Sequence, residues 1–366
     1  MTIKASGTSL AFSEIATEFG YPTDNKFGNY RNPTNKTGWD LGDHPLDEGI
    51  PTSGNIKFSD FYSKRLNIVI NCYDTNNTST DYRVNAKSEW DNDNVDVVGG
   101  FRSKKESGSK VIVHVNKEIG SESDDSYVAD VAGKELLRGK CALRTGSWNS
   151  DVAMVIDIGS SGALRGAGGQ GGKGNNPADN GAGDLKNGRE GNSALGIEFG
   201  TNSNKTKINV KSTGVIRAGY GGGGGGGGCY YDEGKGKSGY ALPGCGGGGG
   251  AGWPLGVGGL AGGGNFSDNS NHPNNGAAVP GDNSTRTTGG AGGSDNNPDN
   301  RDGGDGGEEG TPAANGPNGS GSAGSSNGGS GGGDGTALRS TGASDTYILT
   351  NNGSVVGGES NSTDVG

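Results

Sequence analysis

The chain has 366 residues, 80 of them Gly, with a formal net charge of −10 and a mean hydropathy of −0.68. Ordinary usage of ~7% would give about 26 Gly, so a side-chain-packed domain cannot account for the whole chain. The acidic balance, with Lys104-Lys105 as the densest basic spot, argues against nucleic acid as a partner, and no stretch approaches the ~18 apolar residues of a membrane span. The start, Met1 to Ser6, has no apolar signal core, so the usual export route is not indicated.

Residues 1–64 carry an internal repeat. Ser6-Gly7-Thr8-Ser9-Leu10-Ala11-Phe12-Ser13-Glu14-Ile15 recurs, one residue shorter between its Gly and Phe, as Ser53-Gly54-Asn55-Ile56-Lys57-Phe58-Ser59-Asp60-Phe61-Tyr62. Each copy predicts an extended step, a Ser cap and a short helix with an acidic first turn: Ser13 to Phe19 and Ser59 to Lys64. A segment of this size buries little alone. It reads as an attachment module, with Phe12, Ile15, Phe19, Ile56, Phe58, Phe61 and Tyr62 as the docking residues.

Residues 65–140 predict a β-rich stem of short strands: Leu66 to Cys72, Tyr82 to Ala86, Val95 to Val98, Val111 to Val115 and Tyr127 to Val131. Their spacing suggests a small sandwich or a trimeric prism-like section. Trp90 and Trp148 read as core or interface anchors.

From residue 141 a second repeat begins. Ala142-Leu143, Ile156-Asp157-Ile158 and Gly162-Ala163-Leu164-Arg165 return as Ala194-Leu195, Ile208-Asn209-Val210 and Gly214-Val215-Ile216-Arg217, offset by 52 residues. A shorter third copy follows: Ala337-Leu338, Tyr347-Ile348-Leu349 and Gly353-Ser354-Val355. Each copy reads as a strand, a Gly turn and a second apolar step, which is one hairpin-sized unit that must stack on its own copies or on other chains. The Gly-rich stretches, from Arg165 to Asn192 and from Arg217 to Gly335, become excursions from that stack, and the second is too long for a structureless loop. A bundle of polyglycine-II-type helices, the left-handed threefold form close to polyproline II, would give them order through backbone hydrogen bonds. The near balance of ~1 kcal/mol per bond against ~1–2 kcal/mol of backbone entropy per residue calls for dense pairing or a homotrimer. Collagen is excluded, because Gly221 to Gly228 and Gly246 to Gly250 are runs and not every third residue.

The expected fold is therefore mainly β: a docking module (1–64), a short-strand β domain (65–140), and repeated hairpins carrying Gly-rich excursions (141–366). Cys72, Cys141, Cys229 and Cys245 lack Cys-x-x-Cys spacing, and only His44, His114 and His272 are present, so no metal site is expected. Cys229 and Cys245 are either a disulfide or two small buried residues. Gly236-Lys237-Ser238 fails as a phosphate loop, since Tyr231 stands where its first Gly belongs, and no helix-forming sequence follows. No nucleophile pairs with a histidine in an interpretable way. The chain is expected to be no enzyme and to carry no cofactor.

The candidate contact site is the aromatic insert among the glycines: Tyr220, Tyr230, Tyr231, Tyr240 and Trp253. Raised on a lattice nearly free of side chains, these rings either stack on sugars or a protein partner, or plug glycine-helix ends and pack between protomers.

The pair Phe12-Ser13-Glu14-Ile15-Ala16-Thr17-Glu18-Phe19-Gly20 and Ile50 to Tyr62, then Asp81-Tyr82-Arg83-Val84 with Trp90, Ala142 to Ser147 and Gly162 to Gly169, resemble in order the glycine-rich tail-fibre and tail-tip virion proteins of tailed bacteriophages. The resemblance implies a non-enzymatic virion protein assembled in the host cytoplasm. It would join other tail or baseplate proteins through residues 1–64, with its Gly-rich part against a host glycan or protein. Two alternatives stay open: a purely structural neck, collar or tail component, and an extracellular glycine-rich matrix or ice-binding protein.

Overall fold

The computed structural model describes residues 3–20, 26–31, 46, 49–72, 84–87, 108–121, 141–175, 183–200, 204–231, 240–262, 278–294, 301–320, 324–341 and 347–361. They form a mainly β protein with parallel sheets and short helices. The expected strands at 95–98 and 127–131, Trp90, His44 and His272 lie outside the described residues.

The first repeat copy forms the helix α1 (Phe12–Phe19) and the second a single 3₁₀ turn, Phe58–Phe61. The capping differs from expectation. Each helix begins before its Ser, and the acidic residue three positions after the N-cap does the work: Glu14 accepts the Ala11 N–H (2.7 Å) and Asp60 accepts the Lys57 N–H (2.8 Å), the acidic half of a capping box. Lys4 adds an ion pair to Glu14 at 2.7 Å. The segment also buries more than its length suggests. Ile15, Phe19, Tyr30, Leu46, Ile50, Phe61 and Leu66 form one cluster with Phe12, Phe27 and Ile56 at its margin, held by ring pairs such as Phe12–Tyr30 (5.4 Å between centroids, edge-on) and Phe27–Phe61 (5.3 Å). The buried Glu18 accepts the Leu66 N–H at 3.0 Å and so ties α1 to the start of the first strand.

That strand, β1 (Asn67–Asn71), precedes four coils. The first is β2 (Val84–Asn85), β3 (Lys110–Val115) and β4 (Glu118–Gly120); the second is β5 (Cys141–Arg144), β6 (Ala153–Ile158) and β7 (Ala163–Arg165). The third is β8 (Ser193–Ile197), β9 (Thr206–Val210) and β10 (Val215–Arg217). After an interruption by β11 (Cys229–Tyr231), β12 (Tyr240–Leu242) and β13 (Gly324–Ser325), the fourth is β14 (Leu338–Ser340), β15 (Tyr347–Asn351) and β16 (Ser354–Val356), with β17 (Glu359–Asn361) last. The strands stack as three parallel sheets, β1-β3-β6-β9-β15, β4-β7-β10-β16 and β2-β5-β8-β14-β17. The sequence repeat is the register of this stack: Ile156 sits on Ile208 and Ile208 on Leu349; Leu164 sits on Ile216, and Leu143 on Leu195.

The expected hairpins do not form. The two strands of each repeat lie in different sheets, because the Gly turn is a corner to the next face; a Cβ on Gly162 would stand 1.9 Å from the Val115 carbonyl oxygen of the coil below. The three faces come from one chain, so the stack itself requires no trimer. A single buried cluster runs from Ile68 and Val113 through Ile156 to Ile208 and Leu338. The side-chain core is thus continuous across residue 140.

The Gly-rich excursions are ordered extended passes. One pair, 166–175 and 185–192, leaves β7 and returns to β8; the others, between β10 and β14, are 219–228, 244–251, 254–262, 279–284, 289–293, 301–307, 313–319 and 326–335. Their bonds repeat every three residues. The N–H groups of Gly168, Gly171 and Gly174 donate to Pro254, Val257 and Leu260, and those of Gly169, Gly172 and Asn175 donate to Tyr220, Gly223 and Gly226, all at 2.8–3.0 Å. Pass 219–228 bonds to six others: 166–175, 185–192, 244–251, 301–307, 313–319 and 326–335. Pass 244–251 likewise bonds to 166–175, 219–228, 254–262, 279–284, 289–293 and 301–307.

These two surrounded passes hold the unbroken runs Gly221 to Gly228 and Gly246 to Gly250. With neighbours on every side no Cβ fits: one on Gly223 would lie 1.9 Å from the Gly304 oxygen, one on Gly248 1.9 Å from the Gly290 oxygen. At the perimeter one position in three faces outward, so Gly316 and Gly319 are buried while Asn315 and Asn318 are exposed. Among the described residues, Asn and Asp side chains close the edge of the lattice. Asn283 accepts the Gly258 N–H, Asp305 that of Gly292, Asn315 that of Gly331, Asn318 that of Gly328 and Asn187 that of Ser330, each at 2.8–2.9 Å.

Candidate functional site

The five aromatics proposed from the sequence do not form one patch. Pass 219–228 runs away from β10, and pass 244–251 runs back toward the stack, so the lattice has a near end on the β-stack and a far end. Tyr220 and Trp253 lie at the near end; Tyr230, Tyr231 and Tyr240 lie at the far end, on a small sheet of order β12-β11-β13. There β11 and β12 are antiparallel, with Tyr231 opposite Tyr240 and Tyr230 opposite Ala241; the side chains of these three tyrosines lie outside the described residues.

Tyr220 is buried, 4% exposed. Its N–H donates to Ala251 and its carbonyl accepts from Gly169 (2.8 Å each). Burial raises its phenol above the ordinary value, against the lowering effect of Arg217 and with smaller upward contributions from Glu309 and Asp334. It is buried where pass 219–228 begins.

Trp253 is half-buried over β4, where Gly120 leaves room for it: a Cβ there would be 2.8 Å from the Trp253 carbonyl oxygen and 3.0 Å from its ring. The Arg286 guanidinium stands 4.2 Å from the ring centroid and reaches Glu118 at 2.8 Å, while Glu118 also pairs with Arg165 at 2.6 Å. This relay from β4 and β7 to the lattice turn at 285–288 pins the lattice to the stack. Arg217 and Glu309 (3.1 Å) make a second link.

The far end is held from inside. Cys229 and Cys245 are buried thiols, not joined as a disulfide. The wholly buried Arg301 donates to the Pro243 carbonyl at 3.1 Å.

The residues expected to dock divide in the same manner. Ile15, Phe19 and Phe61 are fully buried in the module's own core. Phe12, Ile56 and Tyr62 are half-buried, the Tyr62 hydroxyl donating to the Thr8 carbonyl at 2.7 Å. Phe58 stands 43% exposed above Phe27, 4.7 Å between centroids.

Sequence reasoning missed one feature. Leu255, Val257, Leu260 and Val279, exposed by 36–53%, lie on the adjacent passes 254–262 and 279–284. The signal was present as an apolar side chain at 257 and again at 260, with Gly at 256, 259 and 262.

Among the described residues no group of three or more His, Cys, Asp or Glu could hold a metal ion, and no helix is long and apolar enough to cross a membrane. No protein-family model matches the chain, and no curated protein matches it. Among solved structures it is similar to the gp37–gp38 adhesin tip complex of the bacteriophage S16 long tail fibre, at 18% identity over 97% of this chain and 100% of that chain, with a TM-score of 0.36. Similarity at that score establishes neither a shared fold nor a shared function.

Proposed function

We propose that the chain is a non-enzymatic virion structural protein of the tail-fibre or tail-tip type, docked through residues 1–64 and touching the host surface with the far end of its Gly-rich lattice. The ordered resemblance of its motifs to glycine-rich phage tail proteins supports the virion assignment. The geometry that carries the host-contact reading is the placement of β11 and β12, with Tyr230, Tyr231 and Tyr240, at the end opposite the β-stack. A pass of ten residues at ~3.1 Å each holds that end about 30 Å from the stack, and the polyglycine-II reading makes it a stiff arm. Docking then falls to Phe58, the exposed member of the module's aromatic cluster, with Phe12, Ile56 and Tyr62 around it.

The rival reading, a neck, collar or tail component without receptor contact, shares the docking module and differs at the far end alone. Replacing Tyr230, Tyr231 and Tyr240 together by Ser tests the choice. Particles should assemble with the variant incorporated and lose adsorption to host cells; normal adsorption by assembled variant particles would favour the purely structural role. The homotrimer expected from the sequence would, on this reading, be formed at the docking module.

A further inference from the structure

The lattice perimeter is polar along most of its length, and its outward N–H groups are met by Asn and Asp side chains at Gly258, Gly292, Gly328, Gly331 and Ser330. One edge is built differently. On pass 254–262 the Gly256, Gly259 and Gly262 N–H groups donate inward to pass 244–251, and the carbonyls of Pro254, Val257 and Leu260 accept from pass 166–175. Among the described residues the N–H groups of Val257 and Leu260 have no acceptor. Beside them stand Leu255 (36% exposed), Val257 (44%), Leu260 (53%) and, on the next pass, Val279 (39%). Of the six large hydrophobic side chains exposed among the described residues, these are four.

Two donors three residues apart on a threefold backbone are about 9.3 Å apart along the axis, the repeat of a polyproline-II helix. A ligand that satisfies them needs carbonyl acceptors at that period, apolar surface between them and few donors of its own. A proline-containing polyproline-II segment meets all three requirements, since Pro lacks the N–H and shows an apolar ring on each face. We propose that the edge formed by Leu255, Val257, Leu260 and Val279 docks such a segment of a partner protein, its carbonyls accepting from Val257 and Leu260. Within the molecule the same geometry is already in use: pass 166–175 donates at the same period to the carbonyls of Pro254, Val257 and Leu260 on the other side of this pass. The site is separate from the far-end tyrosines, so either proposal can fail without the other.

The test is titration of the full-length protein with a decaproline peptide, with a Gly-Ser decapeptide as control. Saturable binding of decaproline and none of the control is expected. Val257→Pro with Leu260→Pro removes both donors while keeping the backbone form, and should weaken binding about tenfold or more with the melting temperature little changed. Val257→Ser with Leu260→Ser keeps the donors and strips the apolar surface; it should also weaken binding, and it serves if the proline variant fails to fold. Absence of decaproline binding to the wild type would overturn the proposal. So would equal binding by a folded variant of either kind, or self-association of the wild type through this edge that decaproline does not compete.

Discussion

The β-stack and the Gly-rich lattice solve the same problem with opposite materials. In the stack, Ile, Leu and Val from three faces fill one interior, and backbone bonds run only between coils. In the lattice the runs Gly221 to Gly228 and Gly246 to Gly250 put no side chain into the interior; backbone groups bond in several directions, and the absence of Cβ atoms is what allows the approach. The stack therefore tolerates change in size at some cost, whereas the lattice centre tolerates no added atom.

The largest expected effect sharpens that contrast. Gly223→Ala places a Cβ 1.9 Å from a backbone oxygen that other passes hold in place. It should unfold the lattice or separate passes 219–228 and 301–307, seen as rapid proteolysis of the Gly-rich half with the β signal of the stack retained. At Gly333, where a Cβ would meet nothing nearer than 3.8 Å, alanine should be tolerated. Equal sensitivity at the two sites would break the distinction. Ile156→Ala, in the centre of the stack, is expected to cost about 2–5 kcal/mol in denaturant unfolding.

Perimeter changes come next. Asn315→Ala and Asn318→Ala each leave one lattice N–H without its acceptor and should cost about 1 kcal/mol apiece. Faster hydrogen exchange should then appear at Gly331 and Gly328 and leave Gly223 unchanged.

The smallest effect is electrostatic. Burial raises the Asp334 carboxyl above its ordinary 3.8, more than the Gly221 N–H bond lowers it. A carboxyl raised in the folded state binds its proton more tightly there, so its ionisation weakens the fold as pH rises from below 3.8 through the raised value. Asp334→Asn keeps an acceptor for Gly221 and removes that charge; its melting temperature should exceed the wild type's slightly at pH 7 and match it at pH 3. Glu14 carries the opposite sign: the Ala11 N–H and Lys4 lower its pKa below 4.5, so its support of α1 is present above that pH and fades as pH falls through the lowered value.

Much of the stack was legible because a parallel coil repeats its inward residues: Ile156, Ile208 and Leu349 align in the sequence as they align in space. What the pattern does not encode is whether a Gly turn folds a strand back or sends it to the next face, so hairpins were expected where corners stand. The lattice was foreseeable from the Gly runs, but its neighbours were not, since glycine carries no mark of its partner. The runs themselves do carry information, because only a fully surrounded pass needs Gly at every position. The aromatics misled for a related reason: distance from Tyr220 to Tyr230 in sequence is length along one pass, so the two fall at opposite ends. Ile15, Phe19 and Phe61 read as docking surface because the partners that bury them, Tyr30 and Leu46, lie in a stretch with no pattern of its own.

Amide hydrogen exchange of the full-length protein, read glycine by glycine, tests most directly whether the Gly-rich half is held by its own backbone. Gly223, Gly226 and Gly248, inside the lattice, should exchange far more slowly than the outward N–H groups of Val257 and Leu260, and should lose protection together on unfolding. Exchange at random-coil rates throughout 219–335 would contradict a backbone-bonded lattice and leave the β-stack as the sole ordered core.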